Sequence, residues 1–346
     1  MSNQVWVYID QFSGQALPAS WEVLAAGKQL ADNSGAAVVA VALGEGLDEL
    51  AQEALRYGAS EVVLADAPVL ADFRPEAYAS VLSKLAAEAE PEVFLFPTTG
   101  RGRELAGMTA VDLETGVVPD AVALEQQGSD IVVTRPVYGG KALSKVRCTA
   151  RPQIITVRGR IFESIEVDAP AGNIQKADVS VNEADLVTKV VENISSGGGV
   201  SLSDAKIVIG GGRGVSSSQT LNAPEDLDAD AAEQWRAKQG FNAIRELADV
   251  LNAGIGASRA AVDAGYISYE HQVGQTGKIV APDLYIACGL SGAIQHLAGM
   301  RTSKMIIAIE EESDAPVFRY SHYGVIGDLH VIVPALSEAL RGRLNK

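Results

Sequence analysis

Apolar positions fall in two rhythms along this chain. In the first stretch, short apolar runs at 5–9, 37–43, 62–65 and 93–96 alternate with longer amphipathic segments at 18–32, 47–57 and 75–88. Short apolar runs between helical segments predict a parallel sheet with both faces covered. Pro18 and Pro75 stand at the start of two of the helical segments, where a first turn needs no N–H from them. A further helix is expected over 103–113, after the TTGRGR turn. From 121 to 162 alternation takes over, with a turn at Tyr138-Gly139-Gly140. That pattern predicts strands that extend or edge the first sheet. Residues 163–194 are more polar and predict a closing helix over 184–194.

The run SSGGG at 195–199 reads as a flexible linker. The expected organisation is an N-terminal α/β domain over 1–194, a Gly/Ser linker over 195–203 and a second α/β domain over 204–346. The second domain opens with a strand at 206–209. A helix follows over 231–252, with Ile244, Leu247, Ala248 and Leu251 on one face. Strands at 284–287, 305–309 and 329–333 are expected, with helices over 291–298 and from 336 onward. The fold class is α/β: two Rossmann-like domains with mainly parallel sheets.

Composition narrows the function. The 346 residues, 47% hydrophobic, can fill two cores. A net charge of −16 argues against nucleic acid or an anionic membrane surface as a partner. Cys148 and Cys288 lie far apart and neither belongs to a CxxC pair, so a zinc site or redox couple is not expected and a reducing compartment is. No secretory signal or membrane-length apolar run is present, so no membrane insertion is expected. A bacterial cytoplasm is the expected location, and a matrix protein after processing would also fit.

Candidate chemistry concentrates between Gly254 and Met300, in the turns GIGASR, QVGQTG and CGLSGA. Small-residue turns of this kind let backbone N–H groups approach a phosphate or a planar ring. Gly210-Gly211-Gly212-Arg213-Gly214 follows a strand and could meet a pyrophosphate, but its spacing is not GxGxxG and a plain turn fits too. Ser258 reads as an N-cap. Arg259, before an apolar Ala-Ala-Val run, is either a half-buried or solvated arginine or one aimed into a cleft. Gln272–Gly277 is a polar turn that either lines a site or lies on the surface. Ser291-Gly292-Ala293 opens a helix at the carboxyl end of a strand, where open α/β sheets bind ligands. His296, with no metal-ligand spacing around it, is either a satisfied half-buried histidine or a hydrogen-bond partner for a cofactor carbonyl. His271, His322 and His330 form no pattern. Glu310–Glu312 reads as a solvated turn, and Arg101 and Arg103 as an anion site or an exposed basic turn. No GxSxG, HExxH or Walker A lysine appears.

These segments resemble the alpha subunit of electron transfer flavoprotein. The resemblance rests on GGRG at 211–214, GASRAAVDAG at 256–265, QVGQTGKIVAPDLYIA at 272–287 and GLSGAIQHLAGM at 289–300. TTGRGRELA at 98–106, RPVYGGKAL at 135–143 and RPQIITVRG at 151–159 carry it more loosely through the first domain. It implies that the second domain binds FAD, one per heterodimer with a beta subunit that can hold AMP. Electrons would pass from acyl-CoA or other flavin dehydrogenases to a membrane quinone oxidoreductase.

Carried over residue by residue, the resemblance places Arg259 near the isoalloxazine and Thr276 as donor to flavin N5, with Gln275, Val273 and Gly274 beside it. His296 would meet the C2 carbonyl region. Ser291, Gly292, Ala293, Ile294 and Gln295 would hold the pyrophosphate and ribityl segment, while Arg213, Ser258 and Asp328 complete the pocket. No side chain needs to act as nucleophile or general base, because the flavin carries the chemistry and the protein its electrostatics. The chain departs from the family where many relatives place Asn-Lys at Glu310-Glu311 and Asp at His322. Two acids there would repel a phosphate, though Glu310 could accept from a ribose hydroxyl. Two rival readings remain: an electron-bifurcating relative using NADH, and a nucleotide-binding scaffold without redox turnover.

Overall fold

A computed structural model describes residues 2–168, 170–193, 202, 205–218 and 220–344. The chain divides into two compact units, Met1–Ile194 and Ser195–Lys346. The expected linker over 195–203 lies outside the described residues apart from Leu202.

In the first unit, β1 (Ser2–Ile9) leads through a small hairpin, β2 (Gln11–Phe12) and β3 (Gln15–Ala16), into α1 (Pro18–Ser34). Then come β4 (Ala37–Gly44), α2 (Asp48–Arg56), β5 (Glu61–Asp66), α3 (Pro75–Ala89), β6 (Pro91–Pro97) and α4 (Gly100–Asp112). The later strands are β7 (Val117–Ala121), β8 (Ala123–Gln127), β9 (Asp130–Val137), β10 (Ala142–Val146), β11 (Gln153–Val157) and β12 (Asn173–Lys176). Seven strands form one parallel sheet in the order β12-β5-β4-β1-β6-β11-β7. Successive side chains of a strand point to opposite faces. Val7 and Ile9 accordingly pack with Leu24 and Leu50 on one side, and Tyr8 packs with Leu82 and Phe96 on the other. Burial on both faces is why these strands read as unbroken apolar runs.

The alternating segment does not behave as one extension of that sheet. β7 and β11 join it, while β8, β9 and β10 form a separate antiparallel sheet. The half-exposed residues of β8 and β10 suit a sheet with one wet face, which a doubly covered layer cannot supply. The helix expected over 184–194 is absent among the described residues. A single 3₁₀ turn, Glu183–Asp185, precedes irregular chain. Val187 and Val191 stand at helical spacing, yet both are almost fully exposed, so no apolar face is buried to hold a helix. Side chains of α3 and its approach take over instead. Glu76 accepts from the Thr188 backbone N–H at 3.0 Å and from its hydroxyl, and Asn193 donates to Asp72 at 2.9 Å.

Arg101 is neither a free anion site nor a solvated turn residue. Its guanidinium lies between the rings of Phe12 and Phe73, 5.3 and 5.0 Å from their centroids. Its Nη1 donates to the Gln11 carbonyl at 2.8 Å. These contacts hold the side chain beside the carboxyl ends of β1 and β6, where the strand order of this sheet reverses.

The second unit runs β13 (Ile207–Gly211), α5 (Ala229–Leu251), β14 (Gly254–Ala257), α6 (Arg259–Asp263), β15 (Leu284–Cys288), α7 (Ile294–Met300), β16 (Met305–Glu310), β17 (Tyr323–Ile326) and α8 (Leu329–Leu344). Its five strands are all parallel, in the order β14-β13-β15-β16-β17. The Asp228 carboxylate caps α5 by accepting from the Ala231 N–H at 2.8 Å.

The segment 329–333 is not a strand but the opening of α8. Leu329, Val333 and Ser337 are buried at i, i+4, i+8 spacing, the first two in the core that includes Phe241 of α5. Helical packing overrides the β-branched run, and Pro334 inside the helix masks its continuation in the sequence. The strand in this region is β17, which lies just before it. The helix expected from 291 begins at Ile294.

Candidate functional site

A cavity of about 500 Å³ opens in the second unit at the carboxyl ends of β13, β14, β15 and β16. Strand order reverses between β13 and β15, the switch point at which parallel α/β sheets offer a crevice. Its base is closed by backbone. The Gly212 N–H donates to the Cys288 carbonyl at 2.9 Å, and the Gly214 N–H to the Gly289 carbonyl at 3.1 Å. A Cβ on Gly212 would stand 1.9 Å from the Gly289 oxygen, and one on Gly210 would stand 2.1 Å from the Tyr285 hydroxyl. Glycines that on sequence speak for a closely approaching ligand are thus already required by contacts within the protein.

Each wall comes from a different turn. Ser258 is buried and caps α6, accepting from the Ala261 N–H at 3.2 Å. This sets Arg259 as the first helical residue at the cavity, with its Nε 3.2 Å from Asp263 Oδ2. The loop 272–277 is folded on itself. The Val273 N–H donates to the Ala257 carbonyl at 2.9 Å and the Gln275 N–H to the Gln295 carbonyl at 2.8 Å. Gln272 Nε2 donates to Thr276 Oγ1 at 3.0 Å, which leaves the Thr276 hydroxyl proton to be donated elsewhere. On the opposite wall, Ser291, Gly292, Ala293 and Gln295 surround the start of α7.

His296 is buried in this wall. Its Nε2 lies 3.0 Å from the Tyr285 hydroxyl, and its Nδ1 is buried without a well-formed hydrogen bond among the described residues. Burial pushes the imidazole pKa down to about 4, with the Val273 backbone pulling the other way, so the ring is neutral at pH 7. Tyr285 is fully buried as well, and burial holds its hydroxyl protonated.

Charge in the cavity is mixed. Arg213 reaches it with Nη2 3.4 Å from Glu233, which also accepts from the Tyr266 hydroxyl. Asp263, Glu310 and Glu312 supply carboxylates. Glu310, at the end of β16, is half-buried rather than solvated, and burial raises its carboxyl above the ordinary range. One of its oxygens takes the Glu311 N–H at 2.9 Å. Burial first, and Glu310 second, push the Cys288 thiol up to about 12, which leaves it an unreactive core residue.

Of the residues singled out in the sequence, the cavity brings together Arg213, Ser258, Arg259, Val273, Gly274, Gln275, Thr276, Ser291, Gly292, Ala293, Gln295, His296 and Glu310. Ile294 and Asp328 lie outside its lining. Asp328 accepts from Ser218 and Thr220, each at 2.7 Å, and from the His330 N–H at 2.8 Å, tying a loop to the start of α8. Sequence reasoning missed Asp263, Glu312 and Tyr285. The first was readable from its i, i+4 spacing to Arg259. Tyr285, inside an apolar strand, gave no signal.

The parallel sheet and the cavity at its reversal point define a Rossmann-like α/β protein. Comparison with known proteins narrows this. Residues 5–185 match the model of the electron transfer flavoprotein domain, and residues 201–301 that of the electron transfer flavoprotein FAD-binding domain. The chain is 40% identical to an electron transfer flavoprotein subunit alpha of Thermoanaerobacterium thermosaccharolyticum, over 98% of each chain. It is 38% identical to one of Bacillus subtilis, over 99% of this chain and 98% of the other. It is 39% identical to Protein FixB of Clostridium saccharobutylicum, over 96% and 94%. The chain belongs to the electron transfer flavoprotein alpha-subunit family. Among its described residues no helix is long and apolar enough to cross a membrane.

Proposed function

We propose that this chain binds FAD in the cavity of its second unit. As the alpha subunit of a heterodimer it would relay electrons from acyl-CoA or other flavin dehydrogenases to a membrane quinone oxidoreductase. The bacterial cytoplasm is the proposed location. One FAD is assigned to the heterodimer, with AMP on the beta subunit. The observation that carries this reading is the convergence of Arg259, Thr276 and His296, from three separate segments, on one cavity.

The donor set fits such a group. A buried imidazole nitrogen without a well-formed hydrogen bond and a hydroxyl with a proton to give are suited to the acceptor edge of a flavin. When bound, FAD supplies the electron-carrying ring. Arg259 places a fixed positive charge at the cavity, which favours added negative charge on a ligand beside it. Thr276 and His296 orient that ligand by donating to it. Ser291 and Gln295, at the start of α7, are proposed to hold the pyrophosphate and ribityl segment, with Ser258 and Arg213 across from them. Glu310, at a strand end, suits a ribose hydroxyl.

The test is an absorption spectrum of this chain co-purified with its candidate beta subunit, taken during stepwise anaerobic reduction. One flavin per heterodimer supports the single-carrier reading. Two flavins with distinct reduction steps replace it with the bifurcating one. No flavin, even after FAD is added, leaves a nucleotide-binding scaffold.

A further inference from the structure

We infer that Tyr285 is a positioning residue that fixes the tautomer of His296, so that Nδ1 carries the proton and serves as a donor in the cavity. A neutral imidazole has one N–H and one bare nitrogen, and the partner of one nitrogen decides the state of the other. Two arrangements satisfy the 3.0 Å contact between the Tyr285 hydroxyl and His296 Nε2. If Nε2 carried the proton and gave it to the tyrosine oxygen, the tyrosine O–H would need an acceptor of its own. Tyr285 is fully buried and has no other hydrogen-bond partner among the described residues, so that proton would be stranded at the cost of an unsatisfied buried donor. If the tyrosine donates to Nε2, its sealed-in proton is satisfied and Nδ1 must hold the imidazole proton, which the Val273 backbone, the group that pulls the ring's pKa upward, or a ligand in the cavity can take.

Two further features point the same way. The hydroxyl reaches this position because residue 210 is glycine, where any Cβ would stand 2.1 Å from it. Nδ1 is itself buried with no well-formed hydrogen bond, while His296 lines the cavity. A donor held there has an acceptor atom of the ligand as its natural partner. Its use toward a flavin carbonyl rests on the function proposed above, but the tautomer does not.

The experiment uses the full chain with ¹⁵N-labelled histidine in complex with its candidate beta subunit, before and after flavin is added. The ¹⁵N shifts of His296 are expected to show a protonated Nδ1 and a bare Nε2 at pH 7 in both states. Tyr285→Phe, which keeps the ring and removes the hydroxyl, should leave a mixture of tautomers or reverse them. FAD affinity should fall about tenfold. Gly210→Ala, which displaces the hydroxyl while keeping both rings, should shift the tautomer in the same direction. A wild-type ring protonated at Nε2, or an unchanged tautomer in Tyr285→Phe, overturns the inference. A correct tautomer in a heterodimer that takes up no FAD leaves it standing and removes the flavin reading instead.

Discussion

Arg259 and Asp263 form a pair one helical turn apart, Nε to Oδ2 3.2 Å, with side chains 67% and 62% exposed. At that exposure the pair contributes little to folding. Its effect falls on whatever occupies the cavity, where the carboxylate partly cancels the guanidinium. Arg259→Ala should make a bound flavin harder to reduce, by about tenfold in the equilibrium or ~59 mV for one electron. Asp263→Asn should shift it the other way and by less. Potentiometric titration of both variants beside the wild type checks this, and matching potentials in all three would remove the assigned role.

Gly212→Ala should unfold the second unit at a lower temperature. The new methyl group would lie 1.9 Å from the Gly289 carbonyl oxygen, on a backbone held by its own hydrogen bonds. The expected cost is about 3 kcal/mol, with flavin uptake lost alongside. Gly107→Ala is the contrast. It lies within α4 with nothing near its Cβ position, and should stabilise the first unit by about 0.5–1 kcal/mol. Calorimetry that follows the two transitions separately tests both.

The buried His296 makes stability depend on pH below neutrality. Its folded pKa of about 4 lies under its ordinary 6.5, so between the two the unfolded chain binds more protons. Stability is full above 6.5 and falls as pH drops toward 4, by up to roughly 3 kcal/mol. His296→Gln should flatten that slope. Urea titrations of the wild type and variant at pH 7 and pH 4.5 would show the difference.

Glu310 acts with the opposite sign. Burial raises its folded pKa above the ordinary carboxylate value, so the folded chain holds the proton more tightly and loses stability as pH rises through that window. The group is only half-buried, so solvent screening keeps the effect below about 1 kcal/mol. Glu310→Gln should remove this slope and gain on the wild type above that window. Equal pH profiles for the two proteins would exclude the effect.

The sequence revealed most where burial was symmetric. The strands 5–9, 37–43 and 284–287 are covered on both faces, so their composition alone betrayed them. It misled where a helix carries strand-like residues. Leu329–Val333 reads as β-branched and stops at a proline, and only packing against α5 shows the helical spacing of its buried positions. It also misled at 184–194, where helical spacing had no surface to bury. In the site, the polar turns were legible because glycine and glutamine have no place in a plain core. The half-burial of Glu310 was not, because it depends on neighbouring turns far away in sequence. Tyr285 was silent because its hydroxyl matters only through His296.

The arginine stacked between Phe12 and Phe73 sets the two units apart. The chain builds the same kind of parallel layer twice. In the first, Arg101 stands beside the reversal point, held by Phe12, Phe73 and the Gln11 carbonyl; in the second, that point opens into a cavity. The two layers thus share a parallel architecture and differ in what stands at the reversal point: an arginine with two aromatic neighbours in one, an open cavity in the other.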